Sequence, residues 1–323
     1  MSDRLTPAGP RGGSVSRTSE PNSRSGWPAV GSAATMSFVL VLSEFLPVGL
    51  LPAIGDSLHV NTGTAGLLLV VPGLAAAVAA PLLTVASGRL DRRHVLLTLA
   101  ALITVSNALA ALAPNMTVMI AARLLLGLGV GGFWAMGAGV GSRLVAPADA
   151  DRAASFITAG ISAGTVVSLP LGALIGHLAG WRTAFDVAAV AALLTLVFPT
   201  DTMRPASLDN VLRTPSAALT GLILATAVLL LTVTTSTPFV IALVLLWGAA
   251  FGGVPPIGQA RVTRLFPQAP EAALALLVTA SQTFLAVGSF TGGVLPDPHG
   301  TSTAFTFGAL VVLLSALVPV RTR

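Results

Sequence analysis

Residues 66–112, GLLLVVPGLAAAVAAPLLTVASGRLDRRHVLLTLAALITVSNALAAL, join two apolar runs through one short loop rich in arginine. Each run is close to the ~20 apolar residues that a helix needs to cross a bilayer. The same arrangement continues in both directions, so that the chain holds about ten such runs. The pattern predicts an all-α polytopic membrane protein.

The apolar runs set the limits of the predicted transmembrane helices. Glycine and proline recur inside them, which bilayer helices tolerate because neighbouring helices satisfy the freed backbone groups. We predict helices over residues 31–54, 63–87, 94–113, 117–141, 153–178, 183–200, 217–235, 238–260, 271–294 and 302–320.

The composition lies far outside the range of soluble domains. Hydrophobic residues make up 54% of the chain and charged residues 9%, whereas soluble domains carry roughly 25% charged residues. The net charge of +5 is spread among loops, so it forms no basic patch of the kind that binds nucleic acid. Cysteine is absent and the four histidines are scattered. We therefore predict no metal centre, no cofactor and no enzyme.

The arginines fall in every second gap between the predicted helices. In multi-pass proteins such loops face the cytoplasm, which predicts an inner-membrane protein with both termini in the cytoplasm. The arginines of this loop set are Arg89, Arg92, Arg93, Arg143, Arg152, Arg204, Arg213, Arg261, Arg264, Arg321 and Arg323. The opposite loops hold only Arg182, with Asp56 and Asp297.

An internal repeat links the fourth and eighth predicted helices. The pattern Gly-x-x-x-Gly-Gly occurs at 127–132 and again at 248–253, and at the same spacing each copy is followed by Arg-Leu, at 143–144 and 264–265. Parallel repeats of this kind build two-half transporters, whose substrate site lies between the halves. In a six-plus-six transporter the fourth helix corresponds to the tenth. Two helices are therefore expected to be missing from the start of the second half.

The predicted helices and loops divide the chain into four segments. Residues 1–30, rich in Ser, Pro, Gly and Arg, are predicted to be a disordered cytoplasmic tail. Residues 31–200 form a six-helix bundle, 201–216 a cytoplasmic central loop, and 217–323 a truncated four-helix half.

Three motifs in order resemble those of the Major Facilitator Superfamily. The loop 88–93, Gly-Arg-Leu-Asp-Arg-Arg, is similar to the family's loop between helices two and three. Residues 123–127 match its Arg-x-x-x-Gly pattern, and 164–172, GTVVSLPLG, is a weakened form of the signature of its drug:proton antiporters. The stretches 44–48, EFLPV, and 131–136, GGFWAM, resemble the branch of purine ribonucleoside efflux pumps and related drug exporters.

Glu44 and Arg123 are the candidate proton-coupling pair. A carboxylate inside a membrane helix is costly and should face the bundle interior or a water-filled cavity. Burial favours its neutral form and a nearby cation favours its charged form, so alternating access could load and release a proton there. Arg123 stays charged and needs an acceptor, for which Glu44 is the best candidate. The resemblance implies a role for Arg123 in proton coupling, and snorkelling to the outer interface is the alternative.

The remaining candidate residues fall into three groups. Gly88, Asp91, Arg92 and Arg93 form a candidate inner gate, or else a solvated loop that only sets orientation. The polar and aromatic candidates for the substrate cavity, which could equally serve helix packing, are Asn107, Phe133, Trp134, Gln259 and Gln282. The predicted helix-packing positions are Gly127, Gly131, Gly164, Pro170, Gly172 and Gly252.

The resulting prediction is proton-coupled efflux of small drug-like or purine nucleoside-like molecules by alternating access, with the substrate, protons and the lipid bilayer as partners. Two other functions stay open, namely a truncated product that does not transport and a sugar or metabolite uniporter without proton coupling. Loss of two helices would leave polar groups facing lipid, and a homodimer could cover that surface.

Overall fold

The computed structural model describes residues 27–87, 92–137, 145, 149–197 and 237–294. Helices and turns, with no strand, make up this part of the chain. The helices are α1 (Trp27–Phe45), α2 (Leu51–Leu58), α3 (Thr62–Ser87), α4 (Arg92–Ala111), α5 (Met116–Gly137), α6 (Ala150–Ala179), α7 (Trp181–Val197), α8 (Thr237–Leu265) and α9 (Pro270–Val294).

The first predicted helix is longer than expected and is broken. A 3-10 segment, Leu46–Leu50, separates α1 from α2. Pro47 lies at its start, where a missing N–H interrupts the α-helical bonding. The helix also begins at Trp27 and not at residue 31. The Trp27 ring packs edge-to-face on Phe156 and lies 5.0 Å from the Arg152 guanidinium, so four residues assigned to the tail belong to the first helix.

Two asparagine caps and one glycine with positive φ mark the start of α3, the start of α5 and the end of α6. Asn61 accepts a hydrogen bond from the Thr64 amide at 2.8 Å, and Asn115 accepts one from Val118 at 3.0 Å, which satisfies free donors at the starts of α3 and α5. Gly180, with φ of 87°, makes the one-residue connection between α6 and α7. A side chain is rarely tolerated at that φ.

The described helices from α3 onward overlap those predicted from the sequence, and the largest difference is the extension of α8 to Leu265. Six stretches of the described residues are long and apolar enough to cross a membrane. Large apolar side chains, such as Leu82, Val85 and Phe284, are exposed along them, as a lipid-facing surface requires. The predicted helices at 217–235 and 302–320 lie outside the described residues.

Most of the core lies among α1 to α7. Helix α5 packs against α3 and α4, α7 packs against α4, and α6 packs against α1. The two helices described between residues 237 and 294 join this bundle at different places. Helix α9 lies against α3 and α5, α8 lies against α6, and α8 and α9 contact each other.

The arginines collect at one end of the bundle. Along α9, Thr279 contacts Ala77 and Gln282 lies beside Gly73, so α9 runs antiparallel to α3. The turn between α8 and α9 is therefore at the same end as the α3–α4 connection. The arginines in helix segments at that end are Arg92, Arg93, Arg152, Arg261 and Arg264. At the opposite end of the described bundle, Arg182 donates to the Ala113 carbonyl at 2.9 Å.

Candidate functional site

Glu44 meets the second half of the chain inside the bundle. It lies in the last turn of α1, with only 7% of its surface exposed. Gln282 of α9, which is 6% exposed, donates a hydrogen bond from Nε2 to Glu44 Oε1 at 3.1 Å. The prediction that Glu44 faces the interior agrees with this placement. The direct contact with Gln282 was not predicted.

A proline explains the bonding next to Glu44. In an α-helix the N–H of residue 47 would bind the carbonyl of residue 43, but Pro47 has no N–H. The side chain of Arg123, on α5, takes this place, because its Nη1 donates to the Ser43 carbonyl oxygen at 3.0 Å. The arginine therefore satisfies a main-chain acceptor that would otherwise be buried without a partner.

Arg123 is completely buried, with 0% exposure, so it does not snorkel to an interface. Its guanidinium carbon lies 4.9 Å from the centre of the Phe185 ring, a cation–π contact. The expected bond to Glu44 is not formed, since Nη1 binds Ser43 and, among the described residues, Nε and Nη2 have no hydrogen-bond partner. The two groups are neighbours through Ser43 and not a bonded pair.

Asn107 completes the hydrogen-bond group around Ser43. Its Nδ2 donates to Ser43 Oγ at 2.8 Å and to the Ile103 carbonyl at 3.0 Å, and Ser43 Oγ itself donates to the Val39 carbonyl at 2.7 Å. Three helices, α1, α4 and α5, are thus tied at one residue. The buried Oδ1 of Asn107 and Oε1 of Gln282 accept no hydrogen bond from the described residues.

The aromatic candidates lie away from this group. Phe133 is buried in the apolar core with Leu99 and Leu126. Trp134 packs on Ala80 and Val278, where α5 meets α9. Both side chains therefore pack helices together, which was the stated alternative to substrate contact.

A different aromatic group lies where α1 meets α8. Phe45, next to Glu44, makes an edge-to-face contact with Phe251 at 6.3 Å between ring centres, and Phe251 stacks on Trp247 at 5.2 Å. The side chain of Gln259, further along α8, is half-buried and makes no hydrogen bond to Glu44 or Gln282 in the described structure. This aromatic group was not predicted, because no local pattern links residue 45 to residue 251.

The candidate inner gate is only partly described. Gly88 and Asp91 lie outside the described residues, and Arg92 and Arg93 form the first residues of α4. Their position places the loop at the arginine-rich end of the bundle. The proposed gating contacts of Asp91 stay a prediction.

The predicted packing glycines stand at close helix contacts. A Cβ on Gly127 would lie 2.5 Å from the Pro72 carbonyl oxygen, and one on Gly131 would lie 2.5 Å from that of Ala76. Gly164 and Gly172 face carbonyl oxygens of α1 and of the 3-10 segment at 2.9 Å in the same way. Pro170 lies within α6, and Gly252 lies on α8 with its surroundings outside the described residues.

Comparison with known proteins identifies the family of this arrangement. The sequence model described as the Major Facilitator Superfamily matches residues 33–215, which is more than half of the chain. The match runs from α1 into the central segment and includes Glu44, Asn107 and Arg123.

Two curated proteins show different extents of similarity. The purine ribonucleoside efflux pump NepI of Escherichia coli K12 is 38% identical over 173 residues, which cover 54% of this chain and 44% of the pump. The chain therefore matches less than half the length of that pump. The transcription regulatory protein OpdE of Pseudomonas aeruginosa is 29% identical over 382 residues, covering 94% of this chain and 95% of OpdE.

Solved transporter structures share the fold. The D-xylose-proton symporter superposes with a TM-score of 0.67 at 15% identity, covering 88% of this chain and 97% of the symporter. The human organic anion transporter MFSD10 gives a TM-score of 0.60 at 16% identity, with 92% and 99% of the two chains covered. At these identities the likeness concerns the fold alone.

Proposed function

We propose a function from one premise, which is that this chain belongs to the Major Facilitator Superfamily. It is a multi-pass membrane protein of a family that moves small molecules. We infer that it exports a small drug-like or purine nucleoside-like molecule across the cytoplasmic membrane in exchange for protons.

One observation carries the proton-coupled part of this proposal. Glu44 is a buried carboxyl on the first transmembrane stretch, and its hydrogen-bond partner Gln282 comes from the second half. If the halves separate on one side and then on the other, a group at their seam meets each compartment in turn. A carboxyl at that seam can bind a proton from one side and release it to the other.

The proposed direction of transport rests on the likeness to the efflux pump, which is 38% identical to this chain over 54% of its length. Purine ribonucleosides carry several hydrogen-bond donors. The unpaired acceptor Asn107 Oδ1 suits a solute of that chemistry better than it suits an anion.

The other candidate residues have supporting roles in this proposal. Arg123 holds the Ser43 carbonyl and thereby fixes the last turn of α1, which carries Glu44. Asp91, Arg92 and Arg93 would close the inner gate at the arginine-rich end, which is assigned to the cytoplasm.

A shortened second half is compatible with these roles. The alignment with OpdE spans 382 positions, more than the 323 residues of this chain, while covering 94% of it. The relative therefore contains segments that this chain lacks, as a missing helix pair would produce. We propose that a homodimer covers the surface left by that pair.

Flux through proteoliposomes with an imposed pH gradient tests the proposal. The purified chain should accumulate radiolabelled inosine or guanosine against its gradient only when protons move the opposite way, and the substrate should drive measurable proton flux. Glu44→Gln, which cannot ionise, should abolish both. Thr98→Val, at an exposed site on α4, is the matched control and should transport like the unmodified chain.

Other results would contradict the proposal in distinct ways. Transport that ignores the pH gradient and survives Glu44→Gln would identify a uniporter. Absence of flux for a panel of nucleosides, drugs and sugars, by a protein shown to be folded, would identify a product that does not transport.

The name of OpdE makes a role in transcription control a second candidate. A transporter changes gene expression indirectly, by setting the internal concentration of an inducer. Transcript levels in a deletion strain complemented with Glu44→Gln separate the two functions. Restored expression with an inactive transporter would favour regulation, and failure to restore it would favour transport.

A further inference from the structure

We propose that Gln282 is the group through which the second half responds to the protonation of Glu44. This inference rests on the proposed proton-coupled transport. It makes Gln282 a positioning residue, which acts through Glu44, in place of the substrate-cavity role expected from the sequence.

The packing of α9 brings Gln282 to Glu44 with little freedom. A Cβ on Gly73 of α3 would lie 3.2 Å from the Gln282 carbonyl oxygen and 3.2 Å from the Ala286 Cβ, so the absence of a side chain at Gly73 lets α9 approach α3 closely. One turn earlier, Thr279 Oγ1 donates to the Ala77 carbonyl at 2.8 Å. The backbone of α9 is thus fixed on both sides of Gln282.

The amide of Gln282 can bond to both forms of the carboxyl, but unequally. The ionised carboxylate can accept from Nε2, which lies 3.1 Å from Glu44 Oε1. The protonated carboxyl can instead donate its O–H to Oε1, which has no other partner in the described residues, after the amide turns over. Charge-assisted hydrogen bonds are roughly twice as strong as neutral ones. Protonation therefore weakens the link between the halves, and loss of the proton restores it.

Few other charges act on this pair within the described structure. Helix α3 carries no charged residue, and Arg123 is the one charged side chain of α5. The charged and titratable residues of the other helices lie toward the ends of the bundle: Asp56, Arg92, Arg93, His94, Asp151, Arg152, His177, Arg182, Asp186, Arg261, Arg264 and Glu271. Arg123 is bonded to Ser43 and not to Glu44. The Gln282 amide is therefore the group that contacts the carboxyl directly and responds to its protonation.

Distance measurements between the halves test this inference. The chain has no cysteine, so Val85→Cys on α3 and Leu265→Cys on α8, both at exposed positions, can carry spin labels without further change. Double electron–electron resonance in nanodiscs, from about pH 5 to about pH 9, follows a buried carboxyl through its change of charge. The measurement separates a short-distance population, with the halves together, from a long-distance population, with the halves apart. The ratio of these populations should change about tenfold, which corresponds to the difference in strength between a charged and a neutral hydrogen bond.

The variants identify the residue responsible. Gln282→Met removes the amide at similar length, and Gln282→Asn keeps an amide that is too short to reach Glu44. Each should reduce the pH-dependent change to less than about twofold, as should Glu44→Gln. Thr279→Val removes a different side-chain bond from α9 to the first half, the one to the Ala77 carbonyl, and should keep the full change. The asparagine variant retains polarity and serves if the methionine variant does not fold.

Three results would overturn the inference. If both Gln282 variants keep the pH-dependent change in distance and Glu44→Gln loses it, Gln282 does not transmit the protonation of Glu44, although the proposed transport still stands. If Thr279→Val also loses it, general packing of α9 and not the amide is responsible. If the unmodified chain shows no change, protonation does not move the halves. Proton flux in the liposome assay decides the proposed function independently of each of these results.

Discussion

Pro47 has no amide hydrogen to bind the Ser43 carbonyl, next to the buried carboxyl of Glu44, and the side chain of Arg123 binds that carbonyl instead. Without Arg123 the Ser43 carbonyl would be buried without a partner. This accounts for a fully buried arginine whose bond runs to the main chain at 3.0 Å and not to a carboxylate. At the scale of single residues, the main-chain hydrogen bond that Pro47 cannot form explains the position of the arginine side chain.

A double-mutant cycle measures that link. Arg123→Met should destabilise the protein by about 2–4 kcal/mol, because it leaves the Ser43 carbonyl unpaired and removes the contact with Phe185. In a Pro47→Ala background residue 47 regains its N–H, which can bind Ser43. The cost of Arg123→Met should then fall by about 1 kcal/mol. Reversible unfolding in mixed micelles gives the four free energies.

The cycle has a clear negative outcome. If the free-energy cost of Arg123→Met differs by less than about 0.5 kcal/mol between the wild-type and the Pro47→Ala backgrounds, the arginine and the proline are independent. Transport by Pro47→Ala alone serves as the control, since the wild-type arginine is retained there.

Sequence reasoning identified Glu44 and Arg123 but not their bonding. The apolar surroundings of each charge predict that it is buried and functional. The choice between a carboxylate and a carbonyl as the acceptor depends on the direction of each side chain, which one sequence does not give. The signal that was available is Pro47 four residues after Ser43. The Glu44–Gln282 contact has no such signal, because it arises from the packing of α9 on α3.

Close contact of helices depends on glycines that face backbone atoms. Along α5, Gly127 and Gly131 face carbonyl oxygens of α3, and a Cβ added to either glycine would lie only 2.5 Å from that oxygen. A main-chain atom cannot turn aside as a long side chain can, so these positions tolerate no added methyl without a shift of a helix. The sequence predicts these glycines as packing positions, and the structure identifies the helix that they face as α3.

Substitution at two glycines separates packing from helix propensity. Gly131→Ala should destabilise the protein by about 1–3 kcal/mol, because its Cβ would meet the Ala76 carbonyl oxygen. Gly66→Ala on α3, where no atom lies within 4 Å of the added Cβ, should be neutral or stabilising by up to about 1 kcal/mol. Thermal unfolding in detergent compares the two variants. Equal effects would mean that the α3–α5 contact is loose enough to accept a methyl group.

The molecule as a whole has two unlike ends joined by apolar helices. The apolar runs and the alternation of arginines predicted the described helices, because the requirements of a bilayer are strong and local along the chain. The broken first helix and the pairing of α8 with α6 and of α9 with α3 were not predictable in the same way. They depend on contacts between residues far apart in the sequence. A repeat of apolar helices predicts the order of the helices along the chain but not which helix faces pack together.

Accessibility of single cysteines tests the proposed orientation of this whole arrangement. Phe266, between α8 and α9, lies at the arginine-rich end, and Leu112, between α4 and α5, lies at the other, and both are exposed. Because loops rich in arginine stay in the cytoplasm, Leu112→Cys should react with an impermeant maleimide added to intact cells. Phe266→Cys should react only after the cells are opened. The opposite labelling pattern would show that the molecule has the inverse orientation in the membrane. The end assigned to the inner gate would then face outward, and the proposed export would be uptake.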